Sequence, residues 1–258
     1  MPSKKWISLF KSLQIKKYRK EKELFFVEGR KNLLELFESN FEIEQLFLTE
    51  AFVEKYLPQK IQNARLAITL VEEADLLKLG TMQSNNAGIA LVKIPHRLCN
   101  ISTLQGLVPA LAHIQDPGNL GTIVRICDWY GIGSLICSTD SVDLYNYKTI
   151  HASMGSFGRV SVYYESLEDF IPRYKSLHPD KKVYAALMEG QSLYQTPPAA
   201  AGGLLLMGNE AQGLSEALAR QADVGITIPR FGAAESLNVG IATAIIMDNW
   251  RKAVRNLY

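Results

Sequence analysis

Trp6, Leu9, Phe10 and Leu13 recur at i, i+3, i+4 and i+7, which is the spacing of one apolar stripe along a helix, with lysines on the opposite side. The period then shortens. LFFVEG (24–29) reads as a strand and GRKNLLELFES (29–39) as a helix, and IEQLFLT, AFVEKYLP, ARLAITLV and EEADLLKLG continue the alternation. A turn-rich QSNNAG leads into a last strand, GIALVKIP, ending at Pro95. This rhythm predicts a small α/β domain over residues 1–95. Residues 96–105 have no clear period and read as a connector.

From Gly106 the alternation restarts and predicts a second α/β domain over residues 106–258. Strand LVPALAHI runs into QDPGNLG and then a helix, Thr122 to Tyr130. SLICS, RVSVYYES and KKVYAALM read as further strands, with a helix over Leu167–Leu177 before the last of them. After a Pro-rich turn come GGLLLMGNEAQGLSEAL, strand VGITIP, a long polar loop and a terminal helix. Val239, Ile241, Ala242, Ala244, Ile245, Ile246 and Trp250 leave that helix apolar on most sides, so it is expected to be buried, in part against a second subunit.

Apolar residues at 47% and charged residues at 21% exclude a disordered or fibrous chain. No run reaches the roughly 18 apolar residues of a membrane span, and MPSKKWISLFKSLQ lacks the continuous apolar stretch of a secretory leader. Cys99, Cys127 and Cys137 form no CxxC pair, which predicts three buried thiols in a reducing cytoplasm. The net charge of +2 conceals an asymmetry. Residues 1–31 hold Lys4, Lys5, Lys11, Lys16, Lys17, Arg19, Lys20, Lys22, Arg30 and Lys31 against three glutamates, a net of +7 that leaves −5 for the remainder. Such an arm fits a polyanion such as RNA, and it equally fits a solvated helical face. Of the arm's aromatic residues, Trp6, Phe10, Tyr18, Phe25 and Phe26, most belong by spacing to a core rather than to a base-stacking surface.

Three strand-to-loop junctions carry the candidate chemistry: DPGNLGTIVR (Asp116–Arg125), GNEAQGLS (Gly208–Ser215) and IPRFGAAESLNVG (Ile228–Gly240). Ligands of α/β folds bind beyond the carboxyl ends of strands, and glycine there lets a ligand approach bare backbone. Each loop alone also reads as ordinary turn and cap chemistry. There is no GxGxxG and no GxxxxGK[ST], which weakens nicotinamide and P-loop readings. His96, His113, His151 and His178 are dispersed, so neither a metal centre nor an Asp–His base is visible.

The three loops, in this order and at this spacing, resemble the three motifs of the SpoU (TrmH) family, RNA ribose 2′-O-methyltransferases of the SPOUT superfamily. The stretch SLQIKKYRKEKELFFVEGRKNLLEL is similar to the substrate-binding domain that precedes the catalytic domain in many members. The resemblance implies a catalytic α/β domain with a trefoil knot, preceded by a small RNA-binding domain like those of ribosomal proteins. It implies S-adenosylmethionine as methyl donor, no metal, pairing into a homodimer through the C-terminal domain, and RNA as substrate, ribosomal rather than transfer RNA. By motif position Met207, Gly208, Ile228, Pro229, Leu237 and Asn238 would hold the donor. Arg125, Asn119, Glu210, Ser236 and Asn238 match catalytic and substrate-orienting positions. The basic arm (Lys4, Lys5, Lys11, Lys16, Lys17, Arg19, Lys20 and Arg30) would bind RNA. Two positions depart from the pattern: Arg230 follows Ile-Pro where an apolar residue is usual, and Gly240 stands where Ser is usual. The family gives Arg125 the task of base. The alternative, from the permanent charge of a guanidinium, is a cation that grips phosphate and stabilises the forming alkoxide. The rival functions are a tRNA 2′-O-methyltransferase and a non-catalytic RNA-binding or ribosome-assembly factor.

Overall fold

The computed structural model describes residues 2–57, 66–209 and 212–255. The chain divides into two compact units, Met1–His96 with Asp143–Arg159, and Arg97–Val142 with Val160–Tyr258.

The first unit starts with α1 (Lys4–Leu13) and α2 (Lys16–Lys22). It continues through β1 (Leu24–Glu28), α3 (Arg30–Glu38), β2 (Ile43–Leu48), α4 (Glu50–Tyr56), β3 (Ala67–Leu70), α5 (Glu73–Leu79) and β4 (Gly88–Lys93). Its strands lie in the order β1-β4-β2-β3, with β4 antiparallel to both neighbours and β2 parallel to β3. The apolar stripe of α1 meets one face of this sheet: Phe10 and Leu13 are fully buried with Phe26, Phe47, Ile89 and Leu91. Trp6 lies edge-on to Phe47, with ring centroids 5.1 Å apart. Phe25 and Phe26 are buried too, so of the arm's aromatics only Tyr18 presents more than a third of its surface.

The segment Asp143–Arg159, with α7 (Tyr147–Ser153), packs within this unit although the sequence pattern joins it to residues 106–258. Tyr145 lies 4.7 Å from the Phe25 ring and Phe157 lies 5.8 Å from Phe41. Asp143 pairs with Arg19 at 2.6 Å, where the Arg19 side chain is 3% exposed. His151 reaches the buried Glu28 carboxylate at 3.2 Å. Burial opposes ionisation of Glu28, but hydrogen bonds from His151 and Thr81 outweigh it and hold the carboxyl below the usual range.

The second unit is a six-stranded parallel sheet in the order β10-β8-β9-β5-β6-β7. Its strands are β5 (Leu107–Leu111), β6 (Ser134–Ser138), β7 (Ser161–Glu165), β8 (Lys182–Ser192), β9 (Gly203–Met207) and β10 (Val224–Thr227). Central β5 and β9 are buried at every residue, as a sheet covered on both faces requires. The helices are α6 (Pro117–Trp129), α8 (Leu167–Leu177), α9 (Glu216–Ala219) and α10 (Val239–Arg255). Phe170, Ile171 and Tyr174 of α8 pack with Val108, Ile136, Val183, Leu204 and Leu206. Ile101 and Leu104, from the stretch read as a connector, join the same core.

One helix differs from expectation: α6 begins five residues before Thr122, because Pro117 occupies the first turn and the Asp116 carboxylate accepts the Asn119 amide at 2.8 Å. Helix α10 buries Val239, Ile246, Met247 and Trp250 within the chain and leaves Ile241 54% exposed. No helix among the described residues is long and apolar enough to cross a membrane.

Candidate active site

Strand register brings the first two motif loops together. Leu111, the last residue of β5, stands opposite Met207, the last residue of β9, and the Ala112 amide donates to the Met207 carbonyl at 2.8 Å. From there the chain leaves both strands side by side. The β9 loop folds back on itself: Asn209 and Gly213 exchange backbone hydrogen bonds of 3.2 and 2.8 Å. Gly208 is what permits this, since a Cβ there would lie 2.2 Å from the Gly213 carbonyl carbon and 2.4 Å from the Leu214 nitrogen. The Asn209 side chain then donates to the His113 carbonyl in the β5–α6 loop at 2.9 Å.

The third loop is tied in by asparagines. Asn238 Nδ2 donates to Asn119 Oδ1 at 2.8 Å, while Asn238 Oδ1 accepts the Gly240 and Ile241 amides at 2.9 and 3.3 Å. One side chain thus caps α10 and fastens its start to α6. Gly240 is part of this fit: a Cβ at that position would meet Asn238 Oδ1 at 3.1 Å and Thr122 at 3.2 Å. A side chain there would need Asn238 or Thr122 to give by a few tenths of an ångström.

The structure therefore gathers Asn119, Asn238, Met207 and Gly208 at adjoining strand ends. Ile228 and Pro229 are half-buried where the chain leaves β10, and Ser236 and Leu237 are exposed just before Asn238. Arg230 donates to the Ala234 carbonyl within its own loop. Arg125 stands apart, exposed on α6, six residues or about 9 Å of helix beyond Asn119, with no hydrogen bond to a described residue. Glu210 lies outside the described residues.

Of the basic arm, Lys4, Lys5, Lys11, Lys17, Lys20 and Arg30 are exposed and Lys16 is half-buried. Arg19 is a correction. Its guanidinium pairs with Asp143 and also donates to the Leu13 carbonyl at 2.7 Å, so it is structural and closed to RNA. The cysteines are free, but Cys99 is only partly buried, unlike Cys127 and Cys137. Burial pushes the Cys127 thiol up to about 12, which leaves it inert.

Two features were missed in the sequence. An irregularity in β8 shifts its pairing with β10 from Ala185, opposite Gly225, to Gln191, opposite Ile226, and the Met188 carbonyl there accepts from Thr227, next to Ile228. Contrary to the expectation of dispersed histidines, His113 Nδ1 lies 2.6 Å from Asp140 Oδ2, the two being joined by the neighbouring ends of β5 and β6. A hydrogen bond from Ser138, and the one from His113, hold the Asp140 carboxyl below the usual range. No group of three or more His, Cys, Asp or Glu able to hold a metal occurs among the described residues.

Residues 106–248 match the SpoU rRNA Methylase family, and residues 4–90 match the MRM3-like substrate binding domain. The 23S rRNA (guanosine(2553)-2′-O)-methyltransferase RlmP of Bacillus subtilis is 27% identical over 242 residues, 94% of either chain. A TrmH-family RNA methyltransferase candidate from Porphyromonas gingivalis superposes with a TM-score of 0.86 at 32% identity, over 98% of this chain and 99% of that one. An AdoMet-bound rRNA methyltransferase from Sinorhizobium meliloti gives 0.82 at 28% identity, over 98% and 97%. With the family matched over more than half its length and the three motif loops joined at neighbouring strand ends, this chain belongs to the SpoU rRNA methylase family.

Proposed function

We propose that this protein methylates a ribose 2′-hydroxyl of ribosomal RNA, with S-adenosylmethionine as donor. The observation that carries the reading is the hydrogen-bonded junction of the three loops, Asn238 to Asn119 and Asn209 to the His113 carbonyl. The residues fit the donor: Gly208 keeps the β9 loop folded on its own backbone, and Ile228, Pro229 and Leu237 are apolar residues left partly or largely exposed to receive an adenosine group. When bound, the sulfonium supplies an activated methyl group with no metal required. Asn119 and Asn238 hold the loops in register, and the exposed Arg125 guanidinium offers a permanent cation for a phosphate and for the alkoxide as its proton leaves. Ser236, exposed just before Asn238, is the candidate for a contact with the ribose or its phosphate in this reading.

The finer architecture belongs to the same proposal. The chain leaves β10 at the sheet edge and returns to α6 at Asn119, the path expected of a C-terminal trefoil knot. Exposed Trp129 (83%), four residues from Arg125, together with Ile241, supports a homodimer through this unit. The first unit, a ribosomal-protein-like α/β domain by this reading, brings exposed lysines to RNA, and the free thiols fit a cytoplasmic enzyme. The test is to incubate the full chain and labelled donor with total RNA from a strain lacking the protein. Label on one ribose 2′-oxygen supports the reading, whereas label on a base, or on transfer RNA alone, rejects it.

A further inference from the structure

A cleft of about 510 Å³ opens over the carboxyl ends of β5, β6, β7 and β9, beside the β9 motif loop. His113, Asp140 and Glu168 line it together with Asn209 and Gln212. His113 holds φ +57°, a left-handed conformation that costs a non-glycine residue roughly 1 kcal/mol, although histidine is among the side chains that adopt it more readily. The surroundings enforce it from both sides, since the His113 amide donates to Ser138 Oγ at 2.8 Å and its carbonyl accepts from Asn209 at 2.9 Å. The ring is oriented as well. Asp140 is ionised and can only accept, so His113 Nδ1 carries the hydrogen, and Nε2 is the nitrogen left for a ligand.

We infer that this cleft seats an unpaired nucleobase of the RNA substrate, with His113 as a specificity-determining contact. The inference rests on the RNA-methyltransferase reading above and names the part of the substrate that the β5–β7 side of the site receives. A phosphate is disfavoured, because the charged groups lining the cleft include three carboxylates, Asp140, Glu165 and Glu168. Glu165 is engaged by Arg173 at 2.9 Å and Asp140 by His113, which leaves Glu168, among the described residues lining the cleft, as the carboxylate acceptor for a base edge. Guanine alone presents two adjacent N–H donors on its Watson–Crick edge, the match for both oxygens of one carboxylate. The imidazole supplies a planar face for stacking and Nε2 for a hydrogen bond.

The test saturates the full chain with S-adenosylhomocysteine and then titrates in guanosine, adenosine, cytidine, uridine or inorganic phosphate, following the His113 ring signals by NMR. Guanosine should move those signals and bind about tenfold more tightly than uridine. Glu168→Gln should erase that preference. His113→Gly, which accepts the backbone angle without strain, should keep the thermal midpoint while weakening every nucleoside. Failure to take up S-adenosylhomocysteine would count against the methyltransferase reading. With that product bound, silence from all four nucleosides, equal response to each, or a response to phosphate alone overturns the cleft assignment.

Discussion

Replacing Arg19 by methionine should destabilise the protein rather than merely weaken its hold on RNA. The guanidinium is buried in the first unit, bonded to Asp143 at 2.6 and 3.3 Å and to the Leu13 carbonyl at 2.7 Å. Methionine keeps the packing volume but leaves a carboxylate only 15% exposed and the last turn of α1 without its donor. Breaking one side of a buried pair costs about 3–5 kcal/mol, against 0–1 for a surface pair. Since Asp143 retains some access to water, the lower end applies, about 3 kcal/mol. That corresponds to a fall of roughly 10 °C in the thermal midpoint of a unit this size. The assay is a double-mutant cycle with Asp143→Leu, read by thermal and urea denaturation. The double variant should recover much of the loss, because the uncompensated charge is gone. A single-variant loss below about 1 kcal/mol, with lowered RNA affinity at unchanged stability, would refute the structural role and return Arg19 to the RNA surface.

Arg125→Lys should lower single-turnover methyl transfer by roughly a hundredfold or more while shifting donor affinity less than about threefold, because lysine loses the planar fork but keeps the charge. Changing Lys4, Lys5, Lys11, Lys17 and Lys20 to Gln should weaken RNA binding and flatten its dependence on salt, measured by filter binding across a salt series. Deleting residues 1–31 is not an equivalent experiment, since it removes Phe10 and Leu13 from the core. Glu28 has a lowered folded pKa, so its contribution is present above the unfolded carboxylate value near 4.3 and is lost as pH falls through the folded value. Glu28→Gln should therefore lose stability at pH 7 and show a shallower acid limb; an acid limb identical to that of the parent chain would contradict this assignment.

What was legible in the sequence was whatever a local period encodes. The stripe of Trp6, Phe10 and Leu13 specified both a helix and the face it buries, and the unbroken apolar runs of β5 and β9 matched central parallel strands. The motif loops were legible as loops because glycine and asparagine there have local reasons to occur. Long-range pairing was not. Arg19 reads as one of ten cations until Asp143, 124 residues away, is folded against it. His113 and Asp140 are 27 residues apart and meet only because β5 and β6 are neighbours in the sheet. One miss was avoidable: Asp116-Pro117 reads as a turn, yet a cap followed by proline at the first helical position is also a helix start, and the structure uses it so.

The central claim is that loops from β5, β9 and β10 build one donor site, and Gly208→Ala tests it most directly. Calorimetric titration of the parent chain with S-adenosylhomocysteine should show one site per chain. A methyl group 2.2 Å from the Gly213 backbone should weaken that binding at least about tenfold, with the folded state retained by circular dichroism. Equal binding by both proteins, or no heat from the parent chain, would contradict the account.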